Sequence, residues 1–135
     1  MNRYPYLRAY MAGITVPTVF LLIAMAGFAV ARHLCNVPIS VERVLVFPMA
    51  VIPNVWGVWN MLYVALDSRR RLPIGLHGGI LPFILVPAGY AVAPTQGIDV
   101  FTPAVALITL PGLLIIYYLA WKYLVEFFNE VLGIA

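Results

Sequence analysis

Apolar residues fill this chain in four long runs, and polar ones collect in the short breaks between them. The runs cover about residues 9–31, 44–66, 72–93 and 100–121. Arg32 closes the first, Glu42 and Arg43 precede the second, Asp67 ends it, and Lys122 follows the fourth. Each run is near the ~20 residues a helix needs to cross the hydrocarbon core, and about twice the length of a barrel strand. Lipid offers no partner to a backbone N–H or C=O, so such runs close their own hydrogen bonds as helices. The predicted fold class is all-α: a polytopic membrane protein whose four transmembrane helices form an antiparallel bundle, one membrane domain over residues 1–135.

Basic residues orient the spans. Arg3, Arg8, Arg69, Arg70, Arg71 and Lys122 lie on one side of this topology, and Arg32 and Arg43 on the other. Loops rich in Lys and Arg stay inside, so the N- and C-termini and the Arg69–Arg71 turn are expected to face the cytoplasm. Tyr4, Tyr6, Tyr10, Tyr63, Tyr117, Tyr118, Trp121 and Tyr123 then gather at the inner interface, where amphipathic rings settle. Ala29-Val30-Ala31 resembles a signal-peptide cleavage site, but the apolar stretch before it is far longer than the ~7–15 residues of such a segment, so the first run reads as a retained span. Beyond the fourth run, Lys122, Glu126 and Glu130 recur every four residues, with Leu124, Phe127, Phe128, Val131 and Leu132 largely elsewhere. The tail 122–135 is therefore expected to be an interfacial or amphipathic helix.

Composition agrees. The 135 residues are 64% hydrophobic and 10% charged, against roughly 25% charged in soluble domains. The net charge of +3 sits in short breaks rather than on a wetted basic face, which excludes nucleic acid as a partner. Cys35 is the one cysteine; it can form no internal disulfide, and no Cys/His cluster has zinc spacing.

Two stretches of the chain look alike. Ala26-Gly27-Phe28-Ala29-Val30-Ala31 matches Ala88-Gly89-Tyr90-Ala91-Val92-Ala93, and Val46-Phe47-Pro48-Met49-Ala50-Val51 matches Val100-Phe101-Thr102-Pro103-Ala104-Val105. Two duplicated helical hairpins of one orientation would produce this pattern, as in parallel-repeat transporters; chance similarity among apolar spans is the competing account. Small residues also form stripes at helical spacing: Ala9, Gly13, Pro17, Ala24, Gly27 and Ala31 in the first span, broken by Phe20; Gly75, Gly79, Pro82, Val86, Gly89 and Ala93 in the third; Thr102, Ala106 and Thr109 in the fourth. Such stripes let helix backbones approach in lipid, and Gly75 with Gly79 makes a GxxxG. Pro17, Pro48, Pro53, Pro82, Pro87 and Pro111 fall inside spans, where each frees a carbonyl and bends its helix.

The chemically richest stretch is Pro53-Asn54-Val55-Trp56-Gly57-Val58-Trp59-Asn60. Met49, Pro53, Trp56, Asn60, Tyr63 and Asp67 share one helical face. Asn60 and His77 fall at similar depths, ~9 and ~7.5 Å from the inner ends of consecutive spans, and are expected to meet. Asn54, Trp56, Asn60 and His77 are thus the candidate binding residues. The structural alternative makes Asn60 and His77 interhelical glue worth ~0.6–2 kcal/mol. Arg69, Arg70 and Arg71 are topology anchors and candidate contacts for anionic headgroups.

No nucleophile–base pair and no intramembrane carboxylate is found, and His33 and His77 lie too far apart in depth to clamp one haem. The expectation is no catalytic residue, no metal and no cofactor. The first span also lacks the membrane-embedded glutamate of small multidrug exporters. Three readings stand in order: a non-catalytic membrane subunit or scaffold of the cell membrane, acting by helix association in a homo-oligomer or complex among membrane lipids; a small-solute or ion channel or transporter with a polar site between the second and third spans; and a lipid-modifying enzyme using His77 with Asp67 or an arginine.

Overall fold

The computed structural model describes residues 3–36, 41–66, 69, 71–97 and 102–134, with side chains 41–47 left aside. Helix is the only regular structure among them. α1 is Pro5–Cys35, α2 Val41–Ala65, α3 Ile74–Gly79, α4 Leu81–Val92, α5 Pro103–Leu119 and α6 Glu126–Val131; a 3-10 turn, Ala93–Gln96, follows α4, and a π-helical segment, Ala120–Val125, joins α5 to α6. Among the described residues, Pro5–Cys35, Ile74–Gln96 and Pro103–Val131 are long and apolar enough to cross a membrane. α2 has 25 residues, ~37 Å of helix, which also suffices in length. The chain is an all-α, membrane-embedded protein. It falls into two compact units, one of Met1–Ala65 with Phe128–Ala135, the other of Leu66–Phe127.

The first unit is an antiparallel hairpin of α1 and α2, to which the end of α6 adds. Pro5 opens α1, where its missing N–H costs nothing. Asn36 ends it in the left-handed conformation, which asparagine tolerates better than other side chains. The crossing is tightest at Gly13: a Cβ there would stand 2.6 Å from the Trp56 carbonyl oxygen and 2.8 Å from the Gly57 Cα. Gly57 answers with the Tyr10 ring and Ile14 against it. Ala9, Ala12, Gly13, Pro17 and Leu21 are the buried residues of α1. The predicted small-residue stripe therefore packs only in its first half; Gly27 has open space around it. On α2, Pro53, Trp56 and Asn60 are buried and Met49 and Tyr63 half-buried, the face expected from the sequence, with Asp67 outside the described residues.

The second unit is a hairpin of α3–α4 against α5 and the π-helical segment. The expected third span is broken in the middle. Pro82 has no N–H for the Gly78 carbonyl, so α3 stops at Gly79 and α4 restarts with Pro82 in its first turn. Ile80 keeps helical dihedrals, so Ile74–Gln96 remains one span interrupted beside its interior proline, as the pattern suggested. The GxxxG needs correcting. Gly75 and Gly78 carry the close approach: a Cβ at Gly75 would lie 2.8 Å from the Tyr118 ring, and one at Gly78 would fall inside the Trp121 side chain. At Gly79 the nearest neighbour is the Tyr118 Cβ at 3.9 Å. α5 has no residue buried within the chain, so its Thr102–Ala106–Thr109 stripe is not covered by the other helices; Thr102 caps the helix, accepting from the Val105 N–H at 3.3 Å, and Thr109 bonds back to the Val105 carbonyl at 2.8 Å.

The tail is helical, as expected: the fourth helix runs on from the span past residue 121, from Pro103 to Val131. Lys122, Glu126 and Glu130 do share an exposed face. The buried face is Trp121, Val125 and Asn129, whereas Leu124, Phe127 and Val131 are exposed.

Candidate functional site

Asn60, in the last turns of α2, is 0% exposed. Its amide nitrogen donates to the Ala9 carbonyl at 2.8 Å and to the Asn129 Oδ1 at 2.7 Å. Its Oδ1 accepts from the Asn129 Nδ2 at 3.1 Å. Two side-chain amides thus hold each other reciprocally in a site closed to solvent, and both N–H groups of Asn60 are committed. Hydrogen bonds in lipid-facing bundles are worth about 0.6–2 kcal/mol each; breaking one partner leaves a buried amide unsatisfied, which costs ~1–3 kcal/mol.

The end of α6 is built to present Asn129. Gly133 takes a positive φ of 67°, which glycine reaches without a Cβ clash. The Gly133 N–H then reaches the Glu130 carbonyl at 2.9 Å and the Ile134 N–H the Asn129 carbonyl at 2.8 Å. This paired closure is a Schellman motif. Arg8 donates from Nη1 to the Leu132 carbonyl at 3.2 Å, setting a cation at the negative end of the helix. Residues near the start of α1 and the end of α6 therefore meet at one end of this unit.

Asn54, by contrast, is exposed. It donates to the Ala50 carbonyl of its own helix at 2.6 Å and accepts from the Tyr10 hydroxyl. It faces away from Asn60 and adds nothing to an enclosed site. Trp56 is 4% exposed and packs its backbone on Gly13.

In the second unit, His77 is 4% exposed. Its ring meets Trp121 edge to face, centroids 5.8 Å apart at 66°. Trp121 is itself fully buried and projects from the π-helical segment, whose Glu126 N–H reaches back five residues to the Trp121 carbonyl. One residue later, the Lys122 Nζ stands 5.8 Å from the Tyr118 ring centroid and 5.3 Å from that of Tyr123, within cation–π range. Of the arginine cluster, Arg69 is exposed and Arg71 donates from Nε to the Leu66 carbonyl at 2.9 Å; Arg70 lies outside the described residues.

Asn60 belongs to the first unit and His77 to the second; within its own unit Asn60 bonds to Ala9 and Asn129. Sequence reasoning missed Asn129, Trp121, Gly78 and Arg8. The one available signal was the four-residue spacing of Trp121, Val125 and Asn129, in register one position before the charged series that drew attention. Among the described residues no group of three His, Cys, Asp or Glu could hold a metal ion. No family model, curated protein or solved structure matches the chain.

Proposed function

We propose that this chain is a multi-pass protein of the cell membrane, with both termini cytoplasmic, that serves as a non-catalytic subunit or scaffold and acts by helix–helix association. The reading rests on how its polar groups are used. Asn60 and Asn129, the buried amides, are spent on holding three helices together. A transport site needs polar groups left over for solute, whereas a structural subunit needs its polar groups satisfied. Gly27, Gly89 and Gly112 meanwhile stand with open space about them, and backbones that can be approached closely are what a second helix in lipid requires.

The test is the assembled mass. Protein extracted in mild detergent and weighed by native mass spectrometry should exceed one 14.9 kDa chain, either as a homo-oligomer or with a stoichiometric partner. Gly89→Leu and Gly112→Leu should weaken that assembly without lowering helix content. A monomer at every detergent and lipid condition, combined with solute-dependent flux in proteoliposomes that His77→Leu abolishes, would favour the channel or transporter reading instead.

A further inference from the structure

Along the second unit, the seam between α3–α4 and α5 is open on one side and wholly apolar. Near Lys122, Leu76, Gly79, Ile80 and Phe83 face Leu114, Ile115, Tyr118 and Leu119 around a groove of about 390 Å³. A second groove of about 390 Å³ continues from Phe83 toward Tyr90 and Pro103. The two abut at Phe83. From Leu76 to Phe83 is ~10 Å of helix, and from Phe83 to Tyr90 another ~10 Å, so each groove lies within the ~15 Å hydrocarbon half of one leaflet.

Gly79 explains why the first groove exists. Gly75 and Gly78 have the fourth helix pressed onto them, but Gly79 has room for a side chain and leaves it empty. Any larger residue would fill the floor of the groove. The groove mouth also has a charge beside it: the Lys122 amine stands 5.8 Å from the ring of Tyr118, one of the lining residues. Lys122 is exposed; the carboxylate that shares its face, Glu126, lies one turn on in the direction away from the groove, and the turn toward the groove holds Tyr118 and Leu119.

We infer that the groove between Gly79 and Tyr118 binds one acyl chain of an anionic phospholipid, whose headgroup is held by Lys122. The apolar walls take the chain, and the ammonium selects the charge. A neutral lipid would fill the same groove without the headgroup contact, so the site discriminates by charge and not by chain. The inference is independent of whether the protein is a scaffold or a transporter, since it concerns a lipid seated on one hairpin.

The full chain is reconstituted in nanodiscs of equal parts phosphatidylglycerol and phosphatidylcholine with identical chains, released into the gas phase, and its retained lipids are counted. One phosphatidylglycerol should be retained about five-fold over phosphatidylcholine, the weight of one basic residue near an anionic surface. Lys122→Gln should equalise the two while keeping one lipid bound. Gly79→Leu should lose both, and so should Ile115→Trp, which fills the groove from an exposed position on the opposite wall. Leu34→Ala, at an exposed position near the end of α1, is the control and should change nothing. Helix content by circular dichroism identifies a variant that fails to fold, and the Gly79 and Ile115 variants act from opposite walls so that one can stand for the other. Equal retention of the two lipids by the parent, retention undiminished in folded Gly79→Leu or Ile115→Trp, or a second copy of the chain covering the groove in place of lipid would each overturn the assignment.

Discussion

At the scale of single residues, Asn60 and Asn129 set the strictest condition on this protein. Each is nearly fully buried, and each supplies what the other's amide lacks. Asn60→Leu should cost ~1–3 kcal/mol by stranding the Asn129 amide, and Asn129→Leu should cost a similar amount. The double variant should lose less than the two single losses together, with a coupling of about 1 kcal/mol. Unfolding measured in mixed micelles reads this directly; strictly additive losses would mean the amides do not depend on each other. Asn60 was legible from the sequence because α2 keeps a regular helical period, which put Met49, Pro53, Trp56, Asn60 and Tyr63 on one face. Its partner was not legible. Asn129 is 69 positions away, and no local period connects residues so separated. Asn54, deep in the same apolar run, is used differently: its amide nitrogen donates to Ala50 of its own helix and its oxygen accepts from Tyr10 of α1 on an exposed face.

At the scale of elements, the second hairpin turns on where glycine meets the fourth helix. Spacings of three and four residues both lie on one helical face, so the sequence could not choose between Gly78 and Gly79 as the contact. The choice is made by Trp121. A regular helix of 3.6 residues per turn drifts when its buried residues are spaced by four; the i→i+5 turn of residues 120–125 absorbs the surplus and keeps Trp121, Val125 and Asn129 inward. Segments of this kind recur at positions under functional constraint. Gly78→Ala should therefore be severely destabilising, because its new methyl meets a tryptophan ring, whereas Gly79→Ala should be neutral within about 1 kcal/mol, the span of the glycine-to-alanine helix preference. Thermal melts of the two variants in one detergent decide between this arrangement and a true GxxxG contact, which would penalise Gly79. Trp121→Ala should cost ~3–5 kcal/mol, the usual loss for an emptied aromatic site.

At the scale of the whole molecule, four long apolar stretches, their helical nature and the hairpin grouping were all readable, because length and polarity alone determine what lipid tolerates. The interruption beside Pro82 and the helical run-on to Val131 were also legible, from an interior proline and from the four-residue spacing of Lys122, Glu126 and Glu130; the π-helical turn at Ala120–Val125 was not. The Arg8 contact with Leu132 brings the start of α1 and the end of α6 to one end of a unit, while exposed Cys35 lies at the other end of α1. With the termini cytoplasmic as proposed, a membrane-impermeant maleimide should label Cys35 only from outside intact cells; in a Cys35→Ser background, Tyr4→Cys and Ile134→Cys should be labelled only after the membrane is opened. Labelling of Cys35 and Tyr4→Cys from one side would disprove the spanning of α1. The Asn60 pairing has one more outcome, in the order of synthesis. At ~5–20 residues per second, the ribosome makes Asn129 roughly 3–14 s after Asn60. Until then the Asn60 amide has the Ala9 carbonyl alone of its two final partners, so the first hairpin reaches its finished pairing only once the last helix has been made.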